Sequence, residues 1–136
     1  MDTSLVIEGH SHRVLIHSLA YADEGWLDQF TIQLEGEGFA AKAVVSSPNS
    51  GPELIGFFQG LESNWRGWEG SKVWRTFEGE LAISAKMSAQ GRVAISFTLH
   101  TPVHDEGWSG QVTVALYAGE LQSLAAKVSE FLGREP

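Results

Sequence analysis

Cysteine is absent from the 136-residue sequence. This absence excludes disulfide scaffolds, thiol catalysis, zinc sites with cysteine ligands and iron–sulfur clusters. No apolar run approaches the roughly 18 residues that a membrane-spanning helix needs, and the N-terminus lacks the basic-then-apolar pattern of a secretion signal. We therefore expect a cytoplasmic protein without a membrane partner, and the length matches a single domain over residues 1–136.

Basic residues are also scarce, since nine Lys and Arg stand against seventeen Asp and Glu and leave a net charge of −8. A chain this acidic is a poor ligand for the phosphates of nucleic acid. The net charge therefore predicts that nucleic acid is not a partner. A protein partner, above all a basic one, fits better because opposite charge steers association.

Alternation of apolar and polar residues predicts eight short strands. They cover residues 5–7, 13–19, 28–34, 39–46, 73–77, 81–87, 92–100 and 111–117. Two segments instead have helical spacing: one begins near Pro52 and carries an apolar stripe to Leu61, and the other runs from Leu121 to Leu132 before Gly133. This order predicts an α+β fold, in which an antiparallel sheet of about seven to eight strands carries both helices on one face.

The two halves of the sequence resemble each other. Asp-Glu-Gly-Trp occurs at 23–26 and at 105–108, and similar strands follow at 29–34 and 111–116. Upstream, Arg13 and Arg92 begin matching strands, and 5–7 matches 81–83. The shared order predicts an internal duplication, with suspected repeats over 1–65 and 73–133 and a pseudo-two-fold axis. The alternative is that amphipathic hairpins simply look alike. Trp26 and Trp108 are expected to cap the two ends of the core.

The segment 65–75 is the strongest candidate for a functional site. It holds three of the five tryptophans, interleaved with basic residues, in a loop rich in glycine. Tryptophan and arginine are the residue types most enriched at binding hot spots. The candidate residues for binding a partner or ligand are Trp65, Arg66, Trp68, Trp74 and Arg75. The alternative is that this loop folds back as a lid whose indoles are buried in the core.

The same segment carries a resemblance to a known family. Trp-Arg-Gly-Trp-Glu-Gly at 65–70, followed by Trp74 and by Glu-Gly-Glu-Leu at 78–81, resembles a family of short uncharacterised bacterial proteins, common in actinomycetes, that is described only as a domain of unknown function. The similarity continues at 91–93, 108–110 and 119–121. Where that family commonly has His after the hairpin glycine, this chain has Arg92, which argues against a catalytic role there. The resemblance implies a shared fold and supplies no catalytic residues.

Histidines and nucleophiles give no recognisable catalytic pattern. His10 and His12 flank a turn, and His100 and His104 precede Asp105, but neither spacing matches a strong metal template. The sequence contains no nucleophile elbow, phosphate-binding loop or dinucleotide fingerprint. It therefore indicates no metal site, no cofactor and no catalytic residue, and it favours a protein that is not an enzyme.

Two functions are compatible with these features. The first is a non-enzymatic protein-binding module, with toxin-neutralising immunity proteins as one class of suitable size and charge. The alternative is a small-ligand-binding protein or enzyme with a pocket between sheet and helices, walled by Phe57, Phe58, Trp74 and Phe131. An unpaired edge at Phe39–Ser46 would also allow a homodimer, although a lysine within it, Lys42, is a feature that guards edges.

Overall fold

The computed structural model describes residues 3–46, 48–101 and 106–133. Within these residues the chain forms eight strands and two α-helices. In chain order they are β1 (Ser4–Glu8), β2 (Arg13–Tyr21), β3 (Leu27–Gly36), β4 (Phe39–Ser46), α1 (Ser50–Ser63), β5 (Lys72–Arg75), β6 (Leu81–Met87), β7 (Arg92–His100), β8 (Ser109–Tyr117) and α2 (Leu121–Leu132), with a short 3-10 turn (Ala118–Glu120) before α2. The predicted α+β class and antiparallel pairing are confirmed.

The strands are divided between two four-stranded sheets in the described part of the chain, whereas the sequence predicted one continuous sheet. Sheet A has the order β1-β2-β3-β4, and sheet B has the order β5-β6-β7-β8. The chain leaves sheet A through α1, and hairpin tips of sheet A lie against β8. There the His12 ring Nδ1–H donates to the Thr113 carbonyl at 3.0 Å, and a Cβ on Gly9 would lie 3.1 Å from the Ala115 nitrogen. Because these tips occupy the edge of β8, sheet B cannot continue into sheet A.

One apolar face of each sheet and one stripe of each helix form a common core. Phe30 and Ile32 of sheet A and Phe97 of sheet B are among the largest fully buried side chains. The helices pack against each other, and their buried residues follow the predicted spacing. In α1 the predicted stripe is buried at Leu54, Phe58 and Leu61, and in α2 at Leu121, Leu124, Ala125, Val128, Phe131 and Leu132.

The predicted duplication is present as a repeated arrangement of strands followed by a helix. β1–β3 correspond to β6–β8, and the carbonyls of Trp26 and Trp108 accept equivalent hydrogen bonds, from the Ala22 N–H at 2.9 Å and the Thr101 N–H at 3.1 Å. The two indoles are 46% and 41% exposed, so neither is the buried cap that the sequence predicted.

The correspondence of the first strands differs from the sequence match by four residues. Leu5 pairs with Ile16 in sheet A, and Ala85 pairs with the equivalent Ile95 in sheet B. Residues 5–7 therefore correspond to 85–87, where the sequence had matched them to 81–83. Because side chains alternate with a period of two, an even shift keeps the apolar face and leaves no trace in the pattern.

β4 lies at the edge of sheet A, as expected, and the homodimer that such an edge would allow stays a prediction. Neither helix in the described ranges is long and apolar enough to cross a bilayer.

Candidate functional site

The segment 65–75 leaves α1 and returns to β5 through a tight loop. Asn64 follows the last helical residue, and its side-chain N–H donates to the Gly60 carbonyl at 2.7 Å. The Asn64 carbonyl then accepts from the Gly67 N–H at 2.8 Å. Gly67 and Gly70 have φ of +130° and +70°, values that side chains with a Cβ rarely adopt. The glycines of the sequence are therefore what allows the loop to turn back.

Trp65 and Arg66 form the exposed part of this loop. Trp65 is 54% exposed, and the guanidinium carbon of Arg66 lies 5.2 Å from the centre of the Trp65 rings. This geometry is that of a cation–π pair, which contributes about 0.5–1 kcal/mol at an exposed site. An exposed indole held by a cation is a surface suited to contact with a partner.

Trp68 lies between the exposed and the buried alternatives that the sequence left open. It is partly buried against the core, and its indole N–H donates to the Ala85 carbonyl at 3.1 Å. The ammonium of Lys72 lies 5.8 Å from the centre of its rings. Trp68 therefore covers the end of β6, and the basic side chain of Lys72 lies over its rings.

Trp74 and Arg75 point to opposite sides of β5 and do not join Trp65. Trp74 packs against the core, and its indole N–H donates to Glu53 Oε1 at 2.9 Å, which ties β5 to α1. Arg75 is exposed on the other face of sheet B. Trp65 and Arg66 thus form one pair and Trp68 and Lys72 another, whereas Trp74 contacts Glu53 and Arg75 lies on the outer face.

A second basic–aromatic pair lies at the same end of sheet B. The sequence did not indicate this pair as part of a site. Arg92 and Tyr117 are paired across β7 and β8, and the guanidinium carbon lies 4.7 Å from the centre of the Tyr117 ring. Tyr117 is 58% exposed. Only the register of the two strands makes these residues neighbours, so their separation in the sequence gave no signal.

Contacts connect this pair to the loop. A Cβ on Gly67 would lie 3.9 Å from Met87 Sδ at the end of β6. The Ala118 N–H donates to the Gly91 carbonyl at 2.9 Å, and Ala118 lines a groove of about 780 Å³ together with Trp65. Three cation–aromatic pairs of the described chain therefore lie around one end of sheet B, with Lys72 on the core side of the sheet and with Arg92 and Tyr117 on its outer side. We call this cluster the basic–aromatic corner and define it as Trp65, Arg66, Trp68, Lys72, Arg92 and Tyr117.

Sheet A has a different pair at the equivalent position. Arg13 faces Glu35 across β2 and β3 as Arg92 faces Tyr117 across β7 and β8. Arg13 donates to the Glu35 carboxylate, and this hydrogen bond, with the charge of Glu35, raises the pKa of Arg13. One copy of the arginine is thus neutralised within the chain. In the other copy an aromatic ring replaces the carboxylate and leaves the positive charge available.

Other candidates from the sequence do not assemble into a site. Across residues 3–46, 48–101 and 106–133, no three His, Asp or Glu side chains are grouped so that they would hold a metal ion, and His104 and Asp105 lie outside those ranges. Phe58 and Phe131 are core residues, and Phe57 packs against that core.

Two solved structures with a similar fold are those of plant proteins. The plant transcriptional regulator PBF-2 aligns over 95% of this chain and 79% of its own, with a TM-score of 0.51 and 6% identity. WHY1 from Arabidopsis thaliana aligns over 95% of this chain and 87% of its own, with a TM-score of 0.51 and 12% identity. No curated protein matches the chain in sequence.

This likeness contradicts the expectation that nucleic acid is not a partner, because a transcriptional regulator is among the chains that share the fold. That expectation rested on net charge, which is a sum over the whole surface and does not describe one end of one sheet. In sequence, the model of the family of unknown function DUF6228 matches residues 5–135. The chain therefore belongs to the DUF6228 family.

Proposed function

We propose that this protein binds single-stranded nucleic acid at the basic–aromatic corner. The observation that carries the proposal is the convergence of three cation–aromatic pairs at one end of sheet B. Aromatic side chains stack on bases, which contributes about 1–3 kcal/mol per base, and neighbouring cations contact the phosphates. The likeness in fold to a transcriptional regulator supports the same class of ligand.

Exposure and charge favour a single strand over a duplex. Trp65 and Tyr117 are each more than half exposed, and an unpaired base offers the free ring face that such side chains stack on. In a duplex the base faces are covered by their neighbours. The Arg66, Lys72 and Arg92 side chains would supply the phosphate contacts.

The net charge of −8 sets the conditions under which binding is measurable. Each neutralised phosphate contributes about −0.7 to the slope of log K against log salt for a single strand, so three cations give a slope of about −2. Repulsion from the acidic remainder of the surface lowers affinity further. We therefore expect binding that is clear at low ionic strength and weak at physiological salt.

The duplication supplies a matched test. Fluorescence anisotropy of a labelled oligothymidylate of about 12 nucleotides at low salt compares Arg92→Gln with Arg13→Gln, which removes the same charge from the equivalent place in sheet A. The proposal predicts that Arg92→Gln weakens binding several-fold and that Arg13→Gln leaves it within twofold. Equal losses in both variants, or no binding by the unmodified protein, would overturn it.

A second candidate function is the binding of a protein partner at the same corner. It is favoured by the exposed Trp65–Arg66 stack beside the groove of about 780 Å³, since these residue types carry most of the energy at protein interfaces. An immunity-type module remains one form of this candidate. A complex that survives nuclease treatment and is lost in Trp65→Ala would favour a protein partner. A complex that nuclease destroys would favour nucleic acid.

A further inference from the structure

The outer face of sheet B, opposite the core, differs in composition from the rest of the surface. Because strand residues alternate, the side chains on this face are those whose neighbours in the chain are buried. They are Val73, Arg75, Ala82, Ser84, Lys86, Arg92, Ala94, Ser96, Thr98, His100, Ser109, Gln111, Thr113, Ala115 and Tyr117. No aspartate or glutamate is among these residues of β5–β8, all of which belong to the described part of the chain.

Small side chains make the middle of this face a groove. Ala82, Ser84, Ala94 and Ser96 lie on the two central strands, and the groove has a volume of about 300 Å³. Lys86 lines one end of it. Arg75 faces Ala82 in the register, four residues from Lys86 along β6, which corresponds to about 13 Å. The groove therefore has Lys86 in its lining, Arg75 beside Ala82 on the neighbouring strand, and a floor that carries hydroxyl groups.

Sheet A lacks this combination. Its outer face carries Glu8 and Glu35 as well as Arg13, and these three occupy neighbouring positions across β1, β2 and β3. In β6 of sheet B, the outer positions carry no acidic residue. Glu80 comes directly before this strand and is only 7% exposed. The potential of the two outer faces thus differs although the folds of the two sheets correspond.

We propose that the groove on the outer face of sheet B holds the continuation of a nucleic-acid strand bound at the basic–aromatic corner. This inference rests on the proposed function. Lys86 and Arg92 are on adjacent strands at the same end of sheet B, so a strand that leaves the Tyr117 ring passes Lys86 first and Arg75 last. Its phosphates contact these cations, and the hydroxyls of Ser84 and Thr98 hydrogen-bond to its sugars or bases.

Charge and polarity select this occupant over a peptide. A bound peptide needs either apolar pockets or unpaired strand edges. The floor of this groove is formed mainly by alanine and hydroxyl side chains of β6 and β7, the two strands that are paired on both sides, and Val73 of the edge strand β5 lines one side of it. Lys86 in the groove and Arg75 on the adjacent edge strand, without a carboxylate on the strands between them, match a polyanion. Continuity with the corner then selects the same strand.

The length of the bound oligonucleotide separates this inference from the proposed function. Oligothymidylates of about 4 and about 12 nucleotides span the range of site sizes found for such surfaces. The short one fills the corner alone, and the long one also reaches the groove. We expect the unmodified protein to bind the long oligonucleotide at least tenfold more tightly than the short one at the same low salt concentration.

Two variants test whether the groove causes the tighter binding of the long oligonucleotide. Ala94→Glu places a carboxylate in the groove beside Lys86, and it is compared with Ala40→Glu, which makes the same change at an exposed alanine on the outer face of sheet A. The inference predicts that Ala94→Glu weakens binding of the long oligonucleotide about tenfold and that of the short one by less than twofold, with Ala40→Glu close to the unmodified protein. Lys86→Gln, with Lys42→Gln as its control, should repeat this pattern without adding volume.

The outcomes are distinguishable. Equal affinity for both lengths, or equal losses of affinity for both in Ala94→Glu, would overturn the inference about the groove. The proposal that the basic–aromatic corner binds nucleic acid would be unaffected. Failure of both oligonucleotides to bind would overturn the proposed function itself. Thermal unfolding of each variant, followed by circular dichroism, confirms that any loss arises in a folded protein.

Discussion

Replacement of Trp68 by alanine should destabilise the protein substantially, because this side chain closes the end of the core. Truncation of a fully buried aromatic side chain costs about 3–5 kcal/mol, and a partly buried indole such as Trp68 loses roughly half of that, about 2 kcal/mol. Loss of the 3.1 Å hydrogen bond from the indole N–H to the Ala85 carbonyl adds about 1 kcal/mol. We therefore expect the free energy of unfolding to fall by about 3 kcal/mol.

Urea denaturation followed by circular dichroism measures this change, and two further variants separate its causes. Trp68→Phe keeps most of the apolar area and loses only the donor, so it should cost about 1 kcal/mol. Trp65→Ala removes an indole of the same size that is 54% exposed and should cost less than about 1 kcal/mol. A loss in Trp65→Ala equal to that in Trp68→Ala would refute the division of this loop into a structural and an exposed half.

Three other predictions concern the frame around the site. His12→Ala removes the 3.0 Å bond to the Thr113 carbonyl and should cost about 1 kcal/mol, with faster amide exchange along β8 by NMR. Trp74→Phe should cost about 1 kcal/mol in urea denaturation, and a double-mutant cycle with Glu53→Ala, which removes the acceptor, should recover a coupling of about 0.5–1 kcal/mol, because the bond at 2.9 Å joins them. Gly67→Ala places a Cβ at φ +130° and should lower the unfolding free energy by about 1–3 kcal/mol, whereas Gly56→Ala in α1, where an added Cβ meets nothing within 4 Å, should not.

The secondary structure of this protein is readable from its sequence because alternation and helical spacing are local properties. The strand of residues 92–100 and the helix from Leu121 to Leu132 begin and end where the pattern predicts. Pairing between distant strands is not a local property, so the pattern does not determine it. The same pattern fits one sheet or two, and an even shift of β1 against its counterpart preserves every apolar contact face.

The candidate site was predictable in part for the same reason. Composition alone singles out the loop after α1, and Trp65 and Arg66 are exposed there. Composition does not reveal that Trp74 turns inward to reach Glu53, since that depends on which face of β5 meets the core. The stack of Arg92 on Tyr117 depends on strand register in the same way.

Net charge does not predict the partner of this protein, for a physical reason. Seventeen acidic residues outweigh nine basic ones in the sum, but a ligand responds to the local potential of the face it meets. The ion pair of Arg13 with Glu35 and the stack of Arg92 on Tyr117 have equivalent positions in the duplicated sheets. Only the second leaves a cation without a carboxylate partner among the described residues.

The indole N–H signals of the tryptophans provide the most direct test of the basic–aromatic corner. In a titration of the ¹⁵N-labelled protein with an oligothymidylate of about 12 nucleotides at low salt, we predict that the Trp65 and Trp68 signals shift and saturate together. Trp74, which packs against the core and is bonded to Glu53 on α1, and Trp26, which directly precedes β3 of sheet A, should stay unchanged. Saturable shifts centred on Trp26, or unchanged Trp65 and Trp68 signals when the oligonucleotide is in large excess, would contradict the account.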